Sequence, residues 1–389
     1  MKILFLKDKR SPSGIEGAAT YLLKLCKILN KIKIPYLVLY GGNKDIYFKE
    51  MIKNKINVRY FEFPKETPKN FLRLFKIIKI RKKLDNLIIK EKITIVNSHF
   101  PHLHFFLNQN LKIPLFSHWH GAQPKNENKP IKIFDKENIL NLKIRDIFFK
   151  LYRKLIVFNY HLPHKIIAVS NASKNTLIKK YLAEKKKIVI NRYGVEKYDA
   201  NKIKKIHKEF NLKDNTKIIL SAGRITKDKG VEEFCEIAKK FSNKKIKFIF
   251  LGGYRDKIYY QAILKKYSNY VIFPGMRTDI ERFYKSSYFF LFLSHRESAG
   301  QVLMEAMNFG LPLLGWNIIG VNEIIKNNYN GKLIKFRDKK KLEIEVRSLI
   351  NDKKKYNFLS KNSYKSFKLY LIENSVDNLL KIFHEKKKN

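Results

Sequence analysis

Cysteine is nearly missing from this chain: Cys26 and Cys235 are the two among 389 residues. Two thiols so far apart exclude a disulfide framework and a cysteine-built metal site, and they suit a reducing cytosol. Acidic residues are scarce, 34 against 82 lysines and arginines, giving a formal net charge of +48. No stretch approaches the roughly 18 uncharged apolar residues that a membrane-crossing helix needs. The opening MKILFLKDKR holds four consecutive apolar residues before charge returns. That is too short for the apolar core of a signal peptide and suits a buried first strand. The expected location is the cytoplasm, or a peripheral position at the inner face of the plasma membrane. Motifs are missing too: there is no Asp-x-Asp, no Walker loop, no GxGxxG and no HExxH. Nothing supports a metal-bridged diphosphate site of the Asp-x-Asp type, so neither a metal nor a cofactor is expected.

What is present is globular, with 44% hydrophobic and 13% aromatic residues. The length suffices for two domains, since single cores stop growing well below it. The positive charge has three readings: nucleic-acid binding, attraction to anionic lipid, and the drift of a chain rich in lysine, isoleucine and asparagine together. It is spread over both halves, and no nucleic-acid-binding motif accompanies it. Nucleic acid is therefore not an expected partner.

Short β-rich runs alternate with longer amphipathic ones, twice over. The first set of strands reads 2–6, 35–40, 58–63, 93–98, 114–119, 165–170 and 187–190; the second reads 217–223, 247–253, 270–274, 289–294, 311–316 and 332–336. Near-continuous apolar strands separated by helices indicate parallel sheets covered on both faces. The fold class is α/β, with two Rossmann-like doubly wound domains facing a cleft. The borders read as 1–200 for the first domain, 201–370 for the second, and 371–389 for a C-terminal helix and basic tail.

In open parallel sheets ligands bind beyond the carboxyl ends of the strands, so the segments that follow strands carry the chemistry. After 217–222 comes GRITKDKG, in which Arg224 and Lys229, with Gly223 and the next helix N-terminus, form a site for a diphosphate. After 289–294 comes HRESAGQVLMEAM. Ser298, Ala299 and Gly300 are small enough for a ligand to approach the backbone, with Gln301 beside them. Glu297 and Glu305 flank the turn, and a carboxylate suits the vicinal hydroxyls of a ribose or hexose. Glu305 lies among apolar residues and needs a partner, either a ligand or a nearby cation. Gly320 opens another turn, and Glu323 pairs locally. In the first half, a Gly-containing turn at Gly14–Gly17 follows the first strand, and His120 ends a strand. Histidines 99, 102, 104, 118 and 120 cluster, but no carboxylate or thiol completes a metal set.

These residues resemble a known family. G-R-x4-K-G at 223–230, E-x7-E at 297–305 with Ala-Gly inside it, G-L-P at 310–312 and G-V-N-E-I-I at 320–325 are similar to the retaining glycosyltransferases of family 4, which have the GT-B fold. Looser matches run through the first half: the early glycine turn, His120-Gly121, IIAVS-x3-K from 166, and Gly194-Val195. The resemblance implies that Arg224 and Lys229 neutralise the donor diphosphate as the sugar leaves. It implies that Glu297 contacts the transferred sugar, that Glu305 holds the nucleotide ribose, and that amides at Ala299 and Gly300 meet the donor. His120 then lies near the reacting sugar, and Gly14 and Gly17 near the diphosphate and acceptor. The chain departs from the family where Ile15 and Glu16 separate the glycines, and at Leu293 and Tyr193, where proline and asparagine are usual.

The expected reaction moves a hexose or N-acetylhexosamine from a nucleoside-diphosphate sugar, UDP-sugar favoured, to a hydroxyl of a lipopolysaccharide, capsule or exopolysaccharide. The partners are that donor, a glycan or lipid-linked acceptor, and an anionic membrane surface reached through the cationic, one-sided stretch 71–84. The rivals are a GT-B-fold nucleotide-sugar epimerase, a basic nucleic-acid-binding protein and an inactive scaffolding relative.

Overall fold

A computed structural model describes residues 1–8, 17–42, 44–63, 72–99, 101–108, 112–121 and 162–385. Among these, every segment read as a strand contains one. The first sheet holds β1 (Ile3–Lys7), β2 (Tyr36–Tyr40), β3 (Val58–Tyr60), β4 (Ile95–Ser98), β5 (Leu115–Trp119), β6 (Lys165–Ala168) and β7 (Ile188–Ile190), in the order β3-β2-β1-β4-β5-β6-β7. The second holds β8 (Lys217–Ala222), β9 (Ile246–Leu251), β10 (Val271–Ile272), β11 (Ser287–Phe292), β12 (Leu313–Trp316) and β13 (Gly331–Ile334), in the order β10-β9-β8-β11-β12-β13. Every pairing is parallel.

Central strands are buried along their length, β1 and β2 at every residue, as strands covered on both faces must be. The edge strands β3 and β10 stop short of their apolar runs. An edge strand has one ladder partner, so pairing ends sooner, and Arg59 and Tyr60 face outward.

The described helices are α1 (Gly17–Lys31), α2 (Ile46–Lys53), α3 (Leu72–Lys90), α4 (Asn171–Tyr181), α5 (Val231–Phe241), α6 (Lys257–Tyr267), α7 (Ile280–Ser286), α8 (Gln301–Asn308), α9 (Lys339–Asn351), α10 (Lys353–Phe367) and α11 (Ile372–His384). Several start at a side-chain cap. Ser170 accepts from the Ser173 amide, Asp338 from that of Lys341 and Asp352 from that of Lys355, each worth about 1 kcal/mol. Phe234, Phe248, Phe250 and Trp316 anchor the core of the second sheet; Leu4, Leu6, Leu37 and Val96 anchor that of the first.

The chain divides into two compact units, one of Met1–Arg10, Leu25–Asn191 and Lys381–Asn389, the other of Ser11–Lys24 and Arg192–Leu380. The main border between the units falls at Asn191–Arg192, and two pieces of chain cross it. The start of α1 clusters with the second unit, where Tyr21 packs on Tyr193 and bonds Ser375. The end of α11 clusters with the first unit, where Phe383 meets Phe116 edge-on at 4.7 Å.

In each sheet the strand order reverses once, between β1 and β4 and between β8 and β11. The segments leaving these strands therefore diverge and open a crevice at the carboxyl edge. The loops after β8, β11 and β12 lie side by side because those strands are neighbours.

Candidate active site

The 223–230 segment leaves β8 through Gly223, whose N–H donates to the Leu251 carbonyl at 2.9 Å. It then makes a single 3-10 turn, Lys227–Lys229. Gly230 ends that turn at φ +66°, and a Cβ there would lie 1.9 Å from the Leu293 carbonyl oxygen. Only glycine permits this approach. It brings the cationic loop against the segment that follows β11. Gly320 does the same from the other side, with φ +92° and room for no Cβ, which would lie 2.3 Å from the Glu297 carbonyl oxygen.

Between these contacts sits Glu297. Its Oε2 accepts from Lys229 Nζ at 3.1 Å, and each side chain is 17% exposed. Its Oε1 accepts from the amides of Ser298 (2.9 Å), Ala299 (3.3 Å) and Gly300 (3.2 Å). Burial pushes this carboxyl's pKa up. The Lys229 charge, its hydrogen bond and the amides outweigh burial and hold the group below the ordinary carboxylate range. The sequence placed Lys229 and Glu297 on different parts of one ligand; without a ligand they hold each other.

Arg224 is half-buried in the same loop. Among the described residues its guanidinium forms no hydrogen bond or ion pair, and its charge acts on nearby Asp228. The Asp228 carboxyl is raised by burial but lowered further by its bond from Thr226 and by Lys229, Arg296 and Arg224. A bound diphosphate would meet one cation already paired and one unpaired.

Glu305 belongs to a second constellation. It is 7% exposed, on the inner face of α8. Lys24 Nζ donates to its Oε1 at 2.9 Å and Tyr284 Oη to its Oε2 at 3.1 Å. Burial, then Glu305, pushes the Tyr284 phenol far above its ordinary range, so it remains a donor. The partner that Glu305 needs is thus Lys24. Lys24 is one of two cations, with Lys27, in the apolar run TYLLKLCKIL, and nothing in the sequence linked it to residue 305. Gly17 and Gln301, both read as donor-binding, come together: a Cβ on Gly17 would lie 3.4 Å from Gln301 Oε1. Gly14 lies outside the described residues. Glu323 pairs with Arg192 at 3.5 Å, a residue 131 positions away, and so not locally as expected.

His120 belongs to the first unit. Its Nε2 bonds His99 Nδ1 at 3.1 Å, and its ring stacks on those of His99 and His118 at 5.0 and 5.6 Å between centroids. His118 Nδ1 bonds Asn97 Oδ1 at 2.9 Å. Burial lowers the His118 pKa to about 3 and takes His99 well below its usual value, with the neighbouring imidazoles and Lys7 adding to it. Among the described residues no group of three His, Cys, Asp or Glu side chains is disposed to hold a metal.

A cavity of about 370 Å³ opens behind the 223–230 loop, between Lys227, Glu233, His295 and Arg337. His295 and Glu233 bond each other across it at 2.7 Å. It contains none of the residues read as donor-binding.

The sequence of the second unit from 202 to 366 matches the family of glycosyl transferases group 1, and residues 15–197 match glycosyltransferase family 4. The chain belongs to glycosyltransferase family 4. It is 27% identical over 240 residues to the capsular polysaccharide biosynthesis glycosyltransferase CapM of Staphylococcus aureus, covering 58% of this chain and 62% of that protein. It is 28% identical over 225 residues to the UDP-Gal:alpha-D-GlcNAc-diphosphoundecaprenol alpha-1,3-galactosyltransferase of Escherichia coli, covering 54% and 57%. The chain thus aligns with somewhat less than two thirds of each of these relatives. A glycosyltransferase of Rickettsia africae superposes with a TM-score of 0.79 at 20% identity, over 100% of this chain and 99% of that one. The fold of this family 4 member is GT-B, with two parallel-sheet α/β domains.

Proposed function

We propose that this protein is a retaining glycosyltransferase that moves a hexose or N-acetylhexosamine from a UDP-sugar to a hydroxyl of a growing capsule, exopolysaccharide or lipopolysaccharide glycan. The supporting observation is the junction of the 223–230 loop with the start of α8, where Lys229, Glu297 and three backbone amides converge at 2.9–3.3 Å. The relatives' names point the same way: one acts in capsule synthesis, and another uses UDP-galactose and a lipid-diphosphate acceptor.

Charge grows on the β-phosphate as the sugar leaves. Oriented cations and amides act most strongly there once water is excluded. In this reading the diphosphate draws Lys229 away from Glu297 and engages Arg224. Glu297, released from that pair, turns its acceptors to the sugar hydroxyls. Two cations and a helix N-terminus meet the diphosphate charge, so turnover does not depend on an added divalent metal. The departing phosphate takes the acceptor's proton on the same face, which retains the anomeric configuration.

No described helix is long and apolar enough to cross a membrane. The acceptor class favours a peripheral position. Of the cationic stretch read at 71–84, residue 71 lies outside the described residues and 72–84 fall within α3, where Lys79, Arg81, Lys82 and Lys83 are exposed beside Ile78. Flotation on liposomes should rise with anionic lipid content; equal flotation on neutral liposomes removes this part.

The direct test is UDP release. It should require both a UDP-sugar and an acceptor glycan, and the product should keep the donor's anomeric configuration. UDP release without acceptor, with formation of an epimerised sugar, would assign the epimerase activity instead.

A further inference from the structure

Lys24 and Glu305 form a buried ion pair between residues 281 positions apart, with side chains only 7% and 9% exposed. Such a pair is an expensive way to hold two helices together, because well-packed apolar side chains of similar volume do it as well or better. Its position gives it another use. Glu305 lies on the second turn of α8, whose first turn begins at Gln301, directly after the three amides that Glu297 accepts from. Lys24 lies on α1, whose first residue, Gly17, approaches Gln301 Oε1. The two helices therefore meet at two points, Gly17 with Gln301 and Lys24 with Glu305, and the ion pair is the buried one of the two.

Three contacts fix the geometry. Lys24 takes Oε1 and Tyr284 takes Oε2. Tyr21, one turn before Lys24, donates to the Ser375 hydroxyl at 3.0 Å, and that hydroxyl donates to the Arg192 carbonyl at 2.7 Å. This anchor holds the turn of α1 that precedes Lys24. A carboxylate has about four acceptor positions, and these contacts use one on each oxygen. An acceptor position remains on each for an incoming pair of hydroxyls.

We propose that Lys24 is a positioning residue for the donor: its ammonium group sets the Glu305 carboxylate in the orientation that receives the nucleoside's vicinal ribose hydroxyls. This rests on the donor reading above. Lys24 itself touches no substrate. Its effect falls on donor affinity and not on the chemical step, because the ribose is remote from the bond that breaks.

Four variants, probed with UDP by titration calorimetry and with UDP-sugar kinetics, test it. Glu305→Gln should weaken UDP binding about tenfold, a loss of the size expected for a charge-assisted hydrogen bond. Lys24→Met should raise the UDP Kd and the donor KM by a similar factor, with kcat within about threefold. Lys24→Arg, which keeps the charge, should recover much of that loss. Adding Lys24→Met to Glu305→Gln should cost nothing further in UDP affinity, since residues acting through one another are not additive. If Lys24→Met alone fails to fold, the arginine variant and the charge-free double variant carry the test. UDP affinity unchanged by Lys24→Met, or equal loss in both backgrounds, overturns the positioning role while leaving Glu305 in place. UDP affinity unchanged by Glu305→Gln overturns the donor reading of Glu305 itself.

Discussion

At the carboxyl edge of the second sheet, Lys229 and Glu297 lie 3.1 Å apart, with Arg224 and Asp228 in the same loop. At the carboxyl edge of the first sheet, three imidazoles stack within 6 Å of one another, and burial suppresses their protonation. Both edges belong to doubly wound sheets, and both lie at the strands where the order reverses. Topology therefore supplies two crevices of the same kind, and the side chains make them chemically different. One collects full charges and oriented amides, which suits a diphosphate. The other presents His120, a neutral imidazole backed by the buried rings of His99 and His118, with which a hydroxyl can exchange hydrogen bonds.

The strongest way to break this comparison is to remove a cation from the second sheet's edge. Lys229→Ala should lower turnover by about 10²-fold or more, as when other oriented charge donors are removed, and Arg224→Ala should have an effect of similar order. Steady-state UDP release on folded protein checks both. His120→Ala, at the neutral edge, should leave UDP affinity unchanged while lowering turnover. If His120→Ala abolished UDP binding and Lys229→Ala did not, the two roles would be reversed.

A smaller effect separates the edges by pH. His99 and His118 have folded pKa values below the unfolded value of about 6.5. The stability they contribute is complete above that value and is lost as pH falls through the range down to about 3 for His118. The slope is up to about 1.4 kcal/mol per pH unit for each. Glu297 is also lowered, but from the carboxylate range. Its contribution persists below pH 6 and is lost only as pH falls through its depressed folded value. Urea midpoints measured downward from pH 8 should begin to fall near pH 6.5, and His118→Asn should make that fall shallower. Lys229→Met should alter only the lower limb. The smallest expected effect is that of chelation: EDTA should leave turnover unchanged, measured on protein freed of divalent ions beforehand.

Much of this was legible in the chain because it is local. Apolar runs located every strand. Gly223, Arg224, Lys229, Glu297 and the Ser298–Gly300 turn all lie within a few residues of a strand end, where a parallel sheet places its ligands. What escaped was long-range. Nothing in the TYLLKLCKIL run indicates that Lys24 pairs with Glu305 or that Tyr284 takes the other oxygen, because those contacts depend on how α1 and α8 pack. The pairing of Lys229 with Glu297 was hidden for a related reason. Both groups were read for what a ligand needs, whereas a half-buried carboxylate and ammonium must satisfy each other until a ligand arrives. The histidines were noticed, but their stacking follows from the adjacency of β4 and β5, which composition does not reveal.

The central claim is that the 223–230 loop and the start of α8 form one diphosphate site. Its most direct test is the affinity of UDP for Lys229→Ala, measured by calorimetry on protein that melts at the same temperature as the wild type. At least tenfold weaker binding is the expected result. Equal affinity would contradict the claim, because the paired ammonium would then contribute nothing to holding the diphosphate.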